Sequence, residues 1–146
     1  MLMKSLNQQE HLTEHLPVAT CAIIKKQGKY LVAQRSSVMK YPLKWEFPGG
    51  RLEVNETLEE CVIREIKEEL GVDIEILEYW GSVESLDPVY PLHLHGYFCR
   101  IISGIPRCLE HQDIKWLGPE ELKSMSWASS DLPFVEKLIR KADENQ

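Results

Sequence analysis

The chain has no CxxC pair: its four cysteines, Cys21, Cys61, Cys99 and Cys108, lie far apart. That spacing argues against a zinc framework or a disulfide scaffold, so the thiols read as buried and reduced in a cytoplasmic protein. Positive charge is in the minority, with 17 Lys and Arg against 23 Asp and Glu and a formal net charge of −6. Binding a nucleic-acid duplex needs clustered Lys and Arg to neutralise phosphates, so that role is not expected. No apolar run approaches the roughly 20 residues of a membrane helix. Met1–Leu16 carries Lys4, Glu10, His11, Glu14 and His15 where a signal peptide would be apolar, so no membrane partner is expected. Internal repeats and linkers are lacking too. What remains, 146 residues that are 43% hydrophobic and 27% charged, is the size and mix of one globular domain. Residues 1–16 read as a polar tail or short helix, and residues 17–146 as that domain.

The segment Val18–Ile24 is continuously apolar and rich in β-branched residues, which predicts a buried strand. Gln27-Gly28-Lys29 supplies a turn into a second strand, Tyr30–Arg35. Trp45-Glu46-Phe47 is a short apolar piece stopped by Pro48-Gly49-Gly50, read as a tight backbone turn. Thr57–Leu70 is the clearest helix. Thr57 and Glu60 have capping-box spacing, Leu58, Cys61, Val62, Ile66 and Leu70 recur at helical intervals, and Gly71 stands where a left-handed C-cap belongs. Val72–Glu84, Leu92–Ile102 and Ile114–Leu117 read as further strands. The middle one alternates His93, His95 and Tyr97 with Leu94, Gly96 and Phe98, as a half-buried antiparallel strand does. Pro119–Leu122 and Pro133–Lys141 read as closing helices. The sum is an α/β chain with a mixed sheet covered on two faces.

On the central helix Glu65, Glu68 and Glu69 stand at i, i+3 and i+4, so three like charges share one surface. Spacing alone fits a solvated acidic face with Arg64 and Lys67 as partners. It also fits an oxygen-ligand site for a hard divalent cation such as Mg²⁺. The longer segment decides between them. Gly50, Glu56, Arg64, Glu65, Ile66, Glu68, Glu69, Gly71 and Val72 match all nine defined positions, over 23 residues, of G-x5-E-x7-R-E-U-x-E-E-x-G-U. In that pattern, which is the signature of the Nudix hydrolases, U is a bulky aliphatic residue. The chain resembles that family, and within it the MutT-like branch that handles nucleoside triphosphates. The resemblance implies an α/β/α sandwich and Mg²⁺- or Mn²⁺-dependent hydrolysis of a nucleoside diphosphate linked to another group. It implies Glu65, Glu68 and Glu69 as metal ligands, joined by the Gly50 carbonyl, with Arg64 orienting the glutamates and Glu56 structural or outer-shell. Cations in the cleft would also let an acidic protein hold a polyanion.

The resemblance further points to Glu110, after Gly104-Ile105-Pro106, as general base. Glu110 reads equally as an exposed loop acid, and Glu65 or Glu69 also qualifies as the base. Arg35 matches a phosphate contact. Phe47 reads as a wall of the base pocket or as core. Asp131 stands where 8-oxoguanine-hydrolysing relatives carry asparagine. An ionised carboxylate there accepts from an exocyclic amine such as cytosine N4, or equally from the N1–H and amine of a guanine, and a protonated one donates; alternatively Asp131 caps the last helix. Trp45, Trp80, Trp116 and Trp127 read as core or surface anchors, and His93, His95 and His111 as sheet-face or loop residues. The expectation is therefore a Mg²⁺-dependent pyrophosphohydrolase that cleanses the nucleotide pool, acting on 8-oxo-dGTP or a CTP-like small-molecule substrate, as monomer or homodimer. A Nudix hydrolase for ADP-ribose, or a non-catalytic nucleotide-binding module, is the alternative.

Overall fold

The computed structural model describes residues 16–144, so the expectation for residues 1–16 falls, but for Leu16, outside the described residues. The strands are β1 (Val18–Lys26), β2 (Lys29–Gln34), β3 (Trp45–Glu46), β4 (Gly49–Arg51), β5 (Asp73–Ser85), β6 (Leu92–Ser103) and β7 (Asp113–Leu117). The helices are α1 (Leu58–Leu70), α2 (Pro119–Leu122) and α3 (Leu132–Glu144). The sheet runs β3-β2-β1-β6-β5, with β4 also on β1 and β7 also on β2. β1 and β6 are parallel and the other pairs antiparallel, so the sheet is mixed as expected.

The apolar run of β1 is explained by its two covered faces. Ala19, Cys21 and Ile23 pack in one cluster with Phe134, Val135 and Leu138 of α3. Ala22 and Ile24 pack in a second with Val62, Ile66 and Leu70 of α1. This is the α/β/α sandwich. Helix α1 has the ends its sequence predicts. The Thr57 hydroxyl accepts from the Glu60 amide, the Glu60 carboxylate accepts from the Thr57 amide, and Gly71 closes the helix at φ 70°.

Three expectations need correction. Pro48-Gly49-Gly50-Arg51 is not a turn, because Gly49–Arg51 forms β4, paired with Ala19, Thr20 and Cys21 of β1. β6 does not keep a strict alternation: Gly96 and Tyr97 are both buried, because α3 covers one face at Gly96 through Phe134 and Tyr97 packs in the α1 cluster on the other. Cys21, Cys61 and Cys99 are buried, but Cys108 is exposed in the loop before β7.

One topological feature makes the cleft. β1 and β2 share a ladder only beside their turn, through Lys25–Tyr30 and Lys26–Lys29. Beyond it they part: β1 takes β4 along its freed edge, and β2 takes β3. The link Phe47-Pro48 therefore wedges between them, with the Pro48 carbonyl accepting from the Ala22 amide at 2.8 Å.

Candidate active site

Beside this wedge lies a cavity of about 170 Å³. Cys21, Phe47, Leu92 and Leu94 give it apolar walls, while Asp131, Arg35, Glu46 and His111 supply polar edges, and Gly49, Gly50 and Glu69 close one side. A larger hollow of about 460 Å³ is lined by residues from the far ends of β1 and β6, with Trp116. It has no carboxylate in its lining, whereas Glu46, Glu69 and Asp131 line the smaller one.

The carboxylates are set by α1 and by the close approach of β4. Glu69 is buried, and its Oε2 accepts from the Gly49 amide at 3.0 Å. Burial, with Glu46, Glu65 and Glu110 as like-charged neighbours, pushes the Glu69 carboxyl well above the usual carboxylate range. Burial also raises Glu65, opposed by Arg64 and reinforced by Glu68 and Glu110. Gly50 has no room for a side chain: a Cβ there would stand 2.3 Å from Cδ of Glu65. The Glu65 carboxylate therefore lies against the Gly50 backbone.

Arg64 organises the acids around it. Its Nε and Nη2 donate to the two oxygens of Glu56 at 2.5 and 2.9 Å. Nη1 donates to Glu65 at 2.7 Å and to Glu68 at 3.2 Å, and Nη2 also reaches the Arg51 carbonyl at 3.0 Å. The guanidinium holds the Glu56 carboxyl down at about 2. Among the described residues no three Asp, Glu, His or Cys side chains stand close enough to hold an ion, because Glu68 turns to Arg64 and half its side chain faces solvent. The donor chemistry still suits a hard divalent cation. Glu65 and Glu110 both disfavour ionisation of Glu69, Glu110 does the same to Glu65, and no cationic side chain pairs with Glu69 among the described residues.

Asp131 is 4% exposed. Its backbone carbonyl accepts from Val135 at the start of α3, but its side chain is not the helix cap. Oδ2 accepts from the Phe47 amide at 2.7 Å, and Oδ1 from the Ser130 hydroxyl at 3.1 Å. Phe47, buried at 2% exposure and stacked on Trp127 with centroids 5.6 Å apart, is both core and cavity wall. Burial, with help from the Glu46 charge, pushes Asp131 up to about 7 from an ordinary 3.8. The sign of its effect on stability follows. The folded chain keeps this proton up to about pH 7, whereas the unfolded chain loses it near 3.8. Stability is thus fully present below pH 3.8 and falls as pH rises toward 7. Asp131→Asn keeps an acceptor for Phe47 without the buried charge, so its Tm is expected to exceed the parent's at pH 8 and to match it near pH 3.5. A thermal melt series across pH checks this.

Arg35 donates to Glu46 Oε1 at 2.7 Å and stands over the Tyr90 ring at 5.7 Å. Lys40 and Arg51 approach the same ring at 5.3 and 5.5 Å, so three cations gather at the mouth of the cavity. Glu110 is exposed beside Glu65 and Glu69, on a loop whose Arg107 and Leu109 amides bond the Leu70 and Glu69 carbonyls. Glu46, Tyr90, Leu92 and Leu94 are among the participants that escaped the sequence reading. Only Glu46 left a signal, as an acid inside the otherwise apolar Trp45-Glu46-Phe47. His111 lies in the loop before β7, within the sheet-face or loop expectation, but its ring is buried against Glu46, which that reading did not foresee.

The Nudix domain profile matches residues 14–138. The chain belongs to the Nudix family. It is 35% identical over 118 residues to the CTP pyrophosphohydrolase of Escherichia coli (strain K12), covering 81% of this chain and 87% of that one. It is 26% identical to the 8-oxo-dGTP diphosphatase of the same strain, covering 86% and 97%. The solution structure of MutT from methicillin-resistant Staphylococcus aureus 252 superposes with a TM-score of 0.69 at 38% identity, over 86% of this chain and 96% of that one. The chain is a Nudix hydrolase, and hydrolases of this family work with a divalent metal on small nucleotides. Among the described residues no helix is long and apolar enough to cross a membrane.

Proposed function

We propose that this Nudix hydrolase is a cytoplasmic, Mg²⁺-dependent nucleoside triphosphate pyrophosphohydrolase that removes a modified or oxidised nucleotide from the pool. The observation that carries this is a shared wall: Glu69 lines the same cavity as Phe47 and Asp131. At about 170 Å³ the cavity is smaller than the roughly 300 Å³ typical of sites that enclose a whole ligand. It takes a base and leaves the phosphate chain along Gly49 and Gly50. Arg35 meets those phosphates at the cavity mouth. Glu65, Glu68, Glu69 and the Gly50 carbonyl would hold the cation, with Arg64 orienting the glutamates. Bound there, it supplies neutralisation of the phosphate charge and acidification of a water. Mn²⁺ satisfies the same oxygen set.

Glu110 is the base that takes the water's proton. It is exposed to solvent and close enough to raise both Glu65 and Glu69. The water attacks the β-phosphorus, giving the monophosphate and pyrophosphate. At the other end, burial favours a proton on the Asp131 carboxyl, which gives it a donor form beside the acceptor form. The ionised form accepts from a cytosine amine, and the protonated form donates to a base carbonyl. The two relatives named for CTP and 8-oxo-dGTP bracket that choice. A panel of normal and oxidised triphosphates, assayed for pyrophosphate release with Mg²⁺, Mn²⁺ or chelator, tests the proposal. CTP or 8-oxo-dGTP is expected to give the highest kcat/KM, with no release in chelator. Preferential cleavage of ADP-ribose, or tight nucleotide binding with no turnover, would overturn it.

A further inference from the structure

The loop that carries Glu110 is fastened on both sides of it. Upstream, the Leu109 amide donates to the Glu69 carbonyl at 3.1 Å; downstream, the Gln112 amide donates to the Gln34 carbonyl at 2.9 Å. Between these ties His111 turns inward until its side chain is only 1% exposed. Its Nε2 lies 2.8 Å from Oε2 of Glu46, a residue 65 positions earlier in the chain. A carboxylate only accepts, so the hydrogen of this pair sits on Nε2. The other Glu46 oxygen takes Nη1 of Arg35 at 2.7 Å. The ring's second nitrogen, Nδ1, is buried and has no hydrogen-bond partner among the described residues. An orphaned buried polar atom is costly, and an apolar side chain of similar volume would pack the site without it. Packing therefore does not account for a histidine here, and the bond to Glu46 does.

We infer that Glu46 and His111 form a clamp that aims Glu110 at the carboxylates of α1, making both positioning residues rather than catalytic ones. The inference rests on the reading of Glu110 as the base. Glu46 is suited to the task because β3 is hydrogen-bonded to β2, and its neighbour Trp45 bonds Ser126 and Ala128 through the backbone. The anchor is therefore part of the sheet, while the side chain it aims lies on a loop. The same carboxylate fixes Arg35, so one acid sets both the phosphate contact and the base.

The test compares kcat and KM of the Mg²⁺-loaded full chain, its H111L, H111Q and E110Q variants, and the E110Q/H111L double. Groups that orient a metal-site side chain typically contribute about 10–100-fold, so H111L should lose about that factor in kcat with KM within about threefold. H111Q keeps an N–H donor at the position of Nε2 and should recover most of the rate. In the E110Q background H111L should cost no more than about twofold, because aiming is irrelevant once the carboxylate is gone. Melting curves establish that each variant is folded at the assay temperature. Should H111L unfold there, H111M, which also lacks the donor but leaves the Glu46–Arg35 pair in place, gives the same cycle. If E110Q keeps the full rate, the base assignment falls and the clamp falls with it. If E110Q is slow but H111L still exacts its whole factor in that background, the clamp alone is overturned.

Discussion

Glu69→Gln is expected to lower kcat by about 10³-fold or more while leaving Tm unchanged or raised. With Glu69 in its proposed role of cation ligand, the rate loss comes from removing that ligand; 10³-fold corresponds to about 4 kcal/mol of transition-state stabilisation. The stability result has the opposite sign for a separate reason. Glu69 is buried among Glu46, Glu65 and Glu110, so its charged form is unfavourable in the folded chain. A carboxyl raised in this way stabilises the fold at acid pH, and that contribution is lost as pH rises. The Gln side chain keeps an acceptor for the Gly49 amide and removes the charge. Its advantage in Tm should therefore be largest at pH 8 and vanish below about pH 4.5. Steady-state pyrophosphate release and melts on one preparation measure both. A variant of full activity would remove the cation site from α1.

Arg64→Lys should be nearly as damaging, despite keeping the charge. The planar guanidinium bonds Glu56, Glu65, Glu68 and the Arg51 carbonyl at once, whereas an ammonium cannot present a fork to Glu56 and also reach Glu65. With Arg64 in its proposed role of orienting metal ligands, the Mg²⁺ concentration for half-maximal rate is expected to rise by about 10–100-fold. Stability should fall too, with a defined pH signature. Glu56 ionises at about 2 in the fold against an ordinary 4.5, so its contribution is complete above pH 4.5 and is lost as pH drops toward 2. The Tm gap between parent and variant should narrow over that window. A gap that stays constant would place the damage elsewhere than the Glu56 pair.

The parts of the fold legible in the sequence are those governed by local chemistry. Helix α1 carries its own start and stop in Thr57, Glu60 and Gly71, and β1 announces its two covered faces by lacking polar alternation. β4 was illegible because Pro48-Gly49-Gly50 has turn chemistry, and only the presence of Thr20 and Cys21 alongside turns those glycines into a strand. The carboxylates of α1 could be placed from spacing alone, but their present arrangement could not. Whether Glu68 faces Glu65 or Arg64 depends on side-chain geometry that spacing does not encode. Asp131 looked like a helix cap because it precedes α3; its true partner, the Phe47 amide, is 84 positions away. Glu46 and His111 stayed hidden for the same reason, since their meaning lies in a meeting across 65 residues.

The fit of β4 against β1 also dictates where directed evolution of substrate range can work. A methyl group on Gly49 would stand 2.0 Å from the Thr20 carbonyl oxygen, and one on Gly50 would strike the Glu65 carboxylate. Libraries randomised at those two glycines will consist mostly of inactive clones. Met39, Leu92 and Leu94 border the same hollow from other elements, so diversity placed there reshapes its apolar wall and leaves the carboxylates of α1 untouched.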